Sequence, residues 1–252
     1  MHKTVAEAAA LVEGVVPAAE SHPEVDVALC PPFLALPKVA ELLKRSHVKL
    51  GAQDCFWEDE GAFTGKVSPK MLADFCASFC IVGHSETRGR FGMVEVPLTT
   101  LSHFSETDET VNLKIKALLY YAVTPILCVG ETSDERAAGE TDSVILRQLE
   151  RGLEGVSSDE LYGLVVAYEP VWAIGTGQTC DAQEADRVCG LIRGLLGQIG
   201  GPEAAEEVRI LYGGSVKPEN AFELFHMPQI DGGLVGGASL QADSFARIIA
   251  AS

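Results

Sequence analysis

Two segments place a carboxylate and an imidazole where they could move a proton. In AYEPVWAIGTGQT (167–179), Glu169 ends an apolar run and precedes a loop that contains proline, tryptophan and two glycines. This pattern is typical of a general base under a closing lid, although a buried structural glutamate is the alternative. In IVGHSETR (81–88), His84 follows another apolar run and precedes a predicted helix start. The positive end of a helix disfavours an imidazolium, so we expect His84 to be neutral and able to donate a hydrogen bond.

Two further segments have the composition of an anion site. LYGGSVKPEN (211–220) and DGGLVGGASL (231–240) each place glycines and a hydroxyl after an apolar run and before a predicted helix. Backbone N–H groups at such positions can face a phosphate without obstruction by side chains. Either glycine pair alone would indicate only a turn. Together, in this order, they predict the phosphate site that α/β barrels form after their seventh and eighth strands.

Seven short apolar runs, rich in valine, isoleucine and leucine, predict the strands that carry these motifs. Helix-like stretches follow them, and Thr4 is the predicted N-cap of a helix that precedes the first run. This alternation predicts a parallel α/β fold in a single domain over residues 1–252. Seven strands with a leading helix fit either an eight-stranded TIM-type (βα)8 barrel that lacks strand 1 or a doubly wound open sheet. The predicted strands are 25–30, 48–53, 79–83, 124–130, 163–170, 208–214 and 230–237.

The segments AYEPVWAIGTG, GHSE, YGGSV and GLVGGASL together resemble the triosephosphate isomerase family, and the resemblance runs from Met1 to the C-terminus. It favours the barrel. It also implies a glycolytic isomerase that interconverts glyceraldehyde 3-phosphate and dihydroxyacetone phosphate by proton transfer through an enediolate, without a metal or cofactor. A different phosphate-binding barrel enzyme is the more distant alternative.

The resemblance also implies a role for individual residues. Glu169 corresponds to the base, His84 to the neutral electrophile and Glu86 to a carboxylate beside it, with residues 170–176 as the lid. The backbone N–H groups of the phosphate site correspond to Gly175, Ser215, Gly236 and Gly237.

The start of the chain departs from the family pattern. In the family, the first strand carries a lysine whose ammonium contacts the substrate, and Met1 aligns just after that lysine. We therefore expect a barrel without strand 1 and with reduced turnover, because a missing donor of this type costs roughly 10²–10³-fold. The alternative function is a catalytically defective barrel that still binds triose phosphate. A coding start upstream of Met1 would supply the missing segment.

Two internal segments also differ from the family. GMVEVPLTTLSHF (92–104) is an insertion after the fourth barrel strand, expected to be a surface loop; the alternative is that residues 94–101 fill the vacant first-strand position. Residues 51–69 resemble the family's interdigitating loop, which implies a homodimer in which Thr64 reaches the partner's site. Asp54 and Lys66 stand where asparagine and glutamate are usual, and one hypothesis gives Lys66 the role of the lost ammonium.

Composition restricts the class of partner and the compartment. The net charge of −17 disfavours nonspecific binding to nucleic acid or anionic membrane, so local donors must hold an anionic substrate. The seven cysteines are odd in number and several lie in apolar runs, which predicts reduced, buried thiols. With neither a signal peptide nor an apolar run of membrane-spanning length, we expect a cytoplasmic protein.

Overall fold

Within the residues that the structure describes, seven parallel strands form one sheet whose spatial order is the order of the chain. The computed structural model describes residues 1–90, 96–174 and 180–252. A doubly wound sheet reverses its strand order at a switch point, so the sequential order excludes that alternative and confirms the barrel-type arrangement. The strands are β1 (Ala28–Leu29), β2 (Lys49–Ala52), β3 (Phe79–Val82), β4 (Thr124–Val129), β5 (Val165–Tyr168), β6 (Arg209–Tyr212) and β7 (Gly232–Gly233).

The central strands are buried on both faces, as their apolar sequences predict. All four residues of β5 are buried, and β4 is buried from Pro125 onward. Helices cover the outside of such a sheet, so both faces of each strand must be apolar. All seven predicted strands are present, but each is shorter than its apolar run because the ends of the runs lie in connecting loops.

Helices alternate with the strands along the chain. The predicted cap Thr4 is confirmed, since it accepts from Glu7 N in a capping box. The longest of these helices is capped by Asp181, which accepts from the backbone N–H of Glu184. The helices are α1 (Val5–Glu20), α2 (Leu36–Leu43), α3 (Pro69–Asp74), α4 (Leu98–Leu101), α5 (Asp108–Tyr120), α6 (Ser133–Ala137), α7 (Thr141–Gly152), α8 (Ser158–Leu161), α9 (Ala182–Gly200), α10 (Pro202–Glu207), α11 (Ala221–Phe225) and α12 (Ala242–Ile249).

The first and last strands of the sheet are each paired on one side. Helix α1 packs against α2 and α12, and so lies outside the space between β1 and β7. No residue that the structure describes pairs with the outer edge of β1 or of β7.

The described part of the insertion, residues 96–104, contains a helix and no strand. Residues 98–101 form the helix α4, in which the N–H groups of Thr100 and Leu101 donate to Pro97 O. For this part of 94–101 the first-strand alternative is wrong, because the turn after Pro97 satisfies backbone groups locally rather than across a ladder. Residues 91–95 lie outside the described ranges.

All seven cysteines are free thiols. Five are buried and Cys30 is half-buried, whereas Cys76, just past the end of α3, is exposed. In the part of the chain that the structure covers, no helix is both long enough and apolar enough to cross a bilayer.

Candidate active site

Glu169 directly follows β5 and is fixed by its backbone against the end of β4. Its N–H donates to Val129 O at 2.8 Å. The next residue on the β4 side is Gly130, where a Cβ would lie 1.7 Å from Glu169 O. This close approach requires glycine at position 130, and it leaves the Glu169 side chain free to cross the end of β4 toward the segment after β3.

The Glu169 carboxylate is only 2% exposed and is held by the segment that follows β3. Oε2 accepts from Ser85 N at 2.9 Å, and Oε1 accepts from Ser85 Oγ at 2.9 Å. His84 Nε2 lies 3.0 Å from Oε1. Burial raises the pKa of Glu169, and His84 and the Ser85 hydrogen bonds oppose that rise. A carboxylate with a raised pKa is a stronger base than an exposed glutamate.

The hydrogen bonds of His84 assign its proton. The backbone N–H of Glu86 donates to Nδ1 at 3.2 Å, and a nitrogen that accepts a hydrogen bond carries no proton. We therefore assign the neutral imidazole with its proton on Nε2, the atom that faces Glu169 Oε1. In this arrangement Nε2 is a hydrogen-bond donor at the point where it meets the base.

Glu86 contributes to this arrangement through its backbone. Its side chain is exposed and makes no hydrogen bond or ion pair with any described residue. The interpretation of its carboxylate as a group acting beside His84 remains a prediction.

The glycine-rich segments meet at the carboxyl ends of β6 and β7. Tyr212 pairs with Gly233, so Ser215 and Gly236 each lie three residues beyond paired positions. The backbone N–H groups of Ser215, Gly236 and Gly237 donate to no acceptor within the described residues. A Cβ at either Gly236 or Gly237 would meet no described atom within 4 Å, so no described side chain fills the space beside these two residues.

The pairing of β5 with β6 places the segment that leads to Ser215 next to Glu169. Tyr168 pairs with Tyr212, and Gly213 N donates to Tyr168 O at 2.7 Å. A Cβ at Gly213 would lie 3.1 Å from Glu169 Cγ. The structure thus brings His84, Glu169 and the segment leading to Ser215 to one end of the sheet. Gly175, the fourth predicted phosphate ligand, lies outside the described residues.

Two residues that the sequence analysis missed contribute to the site. Ser85 supplies two of the donors to Glu169, but its place after His84 predicts only a helix start. That prediction is wrong, because residues 85–89 form turns and the next described helix is α4. Glu131 is fully buried, and its Oε1 accepts from Tyr168 Oη at 3.1 Å and from Trp172 Nε1 at 2.8 Å. Burial raises the pKa of Glu131. The only sequence signal for Glu131 is a charged residue directly after an apolar strand.

Trp172 belongs to the 3₁₀ turn Val171–Ala173, at the start of the predicted lid 170–176. All three residues of this turn are buried, and Arg136 lies over the indole at 4.0 Å. The start of the loop after Glu169 is therefore packed against the protein. Across the ranges described, no three histidine, cysteine, aspartate or glutamate side chains form a metal-ligand set.

Comparisons with known proteins agree with this geometry. A sequence model described as "Triosephosphate isomerase" matches residues 1–252. Two relatives named triosephosphate isomerase, from Carboxydothermus hydrogenoformans and Trichlorobacter lovleyi, are each 49% identical. The alignments cover 100% and 99% of this chain, and 95% and 94% of the relatives. The crystal structure of triosephosphate isomerase from Bartonella henselae superposes with a TM-score of 0.84 at 32% identity, over 100% of this chain and 94% of that one. The chain belongs to the triosephosphate isomerase family.

Proposed function

We propose that the chain interconverts glyceraldehyde 3-phosphate and dihydroxyacetone phosphate, with Glu169 as the base and His84 as the hydrogen-bond donor. The observation that carries this proposal is the 3.0 Å approach of a neutral imidazole Nε2 to a buried carboxylate. An aldose–ketose interconversion moves a proton between adjacent carbons, and needs one group to carry the proton and another to polarise the oxygens.

In the structure, the Glu169 carboxylate contacts His84 Nε2 and accepts two hydrogen bonds from Ser85. When substrate binds, its oxygens take the place of Glu169 Oε1 as acceptors for His84 Nε2. The carboxylate, released from this contact, faces the carbon that gives up its proton. The enediolate that forms is stabilised by the Nε2–H donor, because negative charge develops on the oxygen next to it.

The phosphate of the substrate binds to backbone amides. The N–H groups of Ser215, Gly236 and Gly237 have no acceptor among the described residues, which supports this assignment. Neutral amides hold a dianion without adding a charged side chain that would attract other anions. Gly175 and the lid 170–176 complete this part of the proposal, with the lid excluding water from the intermediate.

The assembly and compartment that we propose rest on the family. The homodimer forms through residues 51–69, and residues 58–66 are exposed without interruption, as a protruding loop should be. Thr64 lies in this exposed run and would enter the partner's site. We further propose a single domain over residues 1–252 and a cytoplasmic location.

The alternative is a barrel that binds triose phosphate but turns it over poorly. One observation favours it: among the described residues, the side chains that contact the Glu169 carboxylate are His84 and Ser85, and no lysine joins them. Without an ammonium, His84 alone would stabilise the developing charge on the substrate oxygens.

A coupled isomerase assay tests both functions. The chain is compared with a version extended by a family first strand that includes its lysine, and with Glu169→Gln in each background. Under the proposed function, the chain is active and Glu169→Gln abolishes activity. Under the alternative, only the extended version turns over, while the chain still binds dihydroxyacetone phosphate in a titration. Activity that survives Glu169→Gln would overturn both.

A further inference from the structure

A buried ammonium joins two carboxylates behind the segment that carries His84. Lys114 lies on α5 and its side chain is only 6% exposed. Its Nζ lies 2.5 Å from Asp54 Oδ1 and 2.5 Å from Glu106 Oε1. A buried lysine is costly unless it is paired, and these two carboxylates are its partners.

The second oxygen of Glu106 faces the turn at residues 83–88. Glu106 Oε2 accepts from Gly83 N at 3.0 Å and from Thr87 Oγ1. The Thr87 hydroxyl also lies 2.8 Å from His84 O, so two acceptors share its proton. The backbone N–H of Glu106 donates to Thr87 O at 2.8 Å. One carboxylate therefore contacts both ends of the turn.

The opposite side of the turn is fixed by Arg88. Its Nε donates to Gly83 O at 2.6 Å, and its Nη1 pairs with Asp108 at 2.6 Å. Gly83 has φ of +69°, a left-handed conformation that requires glycine here, since a Cβ would meet the Arg88 guanidinium at 2.8 Å. Glu106 and Arg88 thus hold the N–H and the C=O of one left-handed glycine, immediately before His84.

We propose that Glu106, with Lys114 as its counter-ion, is a positioning residue that sets the orientation and tautomer of His84. This inference rests on the proposed function for its kinetic consequence. The turn that Glu106 holds also carries the Glu86 N–H, which bonds to His84 Nδ1, and the Ser85 donors, which hold Glu169. If the turn relaxes, the imidazole loses both its orientation and the hydrogen bond that fixes its proton on Nε2.

Lys114 fixes the other end of the Glu106 carboxylate. Its Nζ lies 2.5 Å from Oε1, while Oε2 contacts Gly83 N and Thr87 Oγ1. Without the ammonium, Oε1 is left buried without a partner, so we expect the carboxylate to rotate away from Gly83 and Thr87. Asp54 contributes differently, because it anchors the ammonium from the far side and does not contact the turn. Of the two carboxylates that pair with Lys114, only Glu106 also contacts the turn before and after His84.

The experiment measures kinetics and the state of the His84 ring in two variants, Glu106→Gln and Lys114→Met. A misplacement of about 1 Å in a catalytic group can cost 10²-fold, so we expect kcat to fall about 10- to 100-fold. We expect KM and the inhibition constant of inorganic phosphate to stay within about twofold, because backbone amides elsewhere hold the phosphate. The ¹⁵N spectrum of the imidazole should lose its single Nε2–H tautomer.

Two control variants separate positioning from general destabilisation. Asn112→Ala removes a buried side chain from the same helix, whose Nδ2 donates to Gly152 O and Glu154 O, away from the turn. It should lower the unfolding midpoint but leave kcat and the imidazole spectrum unchanged. Asp54→Asn keeps an acceptor for the ammonium, and should also leave both unchanged.

The outcomes distinguish this inference from the proposed function. If folded Glu106→Gln keeps either the parent kcat or the parent imidazole spectrum, the inference is overturned. If Lys114→Met does not fold, Glu106→Gln, which preserves side-chain shape, decides alone. If neither the chain nor the version extended by a family first strand shows isomerase activity, the proposed function fails. The imidazole spectra still decide whether Glu106 positions His84.

Discussion

Gly130 limits the position of Glu169 more directly than any side chain does. An added Cβ at residue 130 would lie 1.7 Å from Glu169 O and 2.7 Å from Glu169 C. An ordinary contact begins at 3.4 Å, so Gly130→Ala needs roughly 1.7 Å of separation between the two backbones. We therefore expect this variant to displace the base.

Neither backbone can move this far at low cost. Glu169 N donates to Val129 O at 2.8 Å, and Gly130 N donates to the buried Gln148 Oε1 at 2.8 Å. Overpacking of a dense interior costs about 1–3 kcal/mol, and displacement of a catalytic group by about 1 Å can cost 10²-fold in rate. Gly130→Ala should therefore lower the free energy of unfolding by about 1–3 kcal/mol. It should lower kcat by about 10²-fold.

The assay is the coupled isomerase reaction, with urea unfolding followed by circular dichroism. Gly194→Ala is the matched control, since position 194 lies within α9 and an added Cβ there would meet no atom of the described residues within 4 Å. Gly194→Ala should raise the free energy of unfolding by about 0.5–1 kcal/mol and leave kcat unchanged. If Gly130→Ala matches the parent in both rate and stability, the close approach of the two strands does not constrain the base.

Three further predictions follow from the buried groups. Burial raises the folded-state pKa of Glu169, so the ionised carboxylate destabilises the fold near neutral pH. Glu169→Gln should therefore unfold at a higher temperature than the parent at neutral pH. The difference between the two unfolding temperatures should shrink as pH falls toward 4.5. Ser85→Ala removes a donor to this carboxylate, so its pKa should rise further and the acid limb of the kcat/KM profile should move to higher pH. Tyr168→Phe removes a donor to the buried Glu131 carboxylate, and chemical unfolding should show a loss of about 1.5–3 kcal/mol.

The sequence predicted the strands well because their signal is local. Runs such as TPILCVG and GLVVAYEP are apolar without interruption, and both faces of β4 and β5 are buried. Short helices without a strong apolar period were missed, among them α6 and α8. Their capping boxes at Thr132 and Ser157 show why they form, since local side-chain bonds stabilise them rather than a long buried face.

The candidate site was predicted only where a residue belongs to a contiguous motif. His84 and Glu169 are found in this way, although their separation in the chain gives no measure of the 3.0 Å between them. Lys114 on α5 pairs with Glu106, just before that helix, and with Asp54, which follows β2 and lies 60 residues away in the chain. Such a contact depends on strand register and helix placement, so spacing along the chain does not reveal it.

The distribution of the cysteines allows a fluorescent dye to be attached mainly at one position. Cys76 is the exposed thiol of the seven, while five are buried and Cys30 is half-buried. Burial also raises the pKa of Cys30 to about 12, so its reactive thiolate is scarce near neutral pH. A maleimide dye would therefore attach chiefly at one place, just past α3 and so close in the chain to the loop proposed to mediate self-association. Energy transfer between differently labelled subunits could then report association in dilute solution, with all native residues retained.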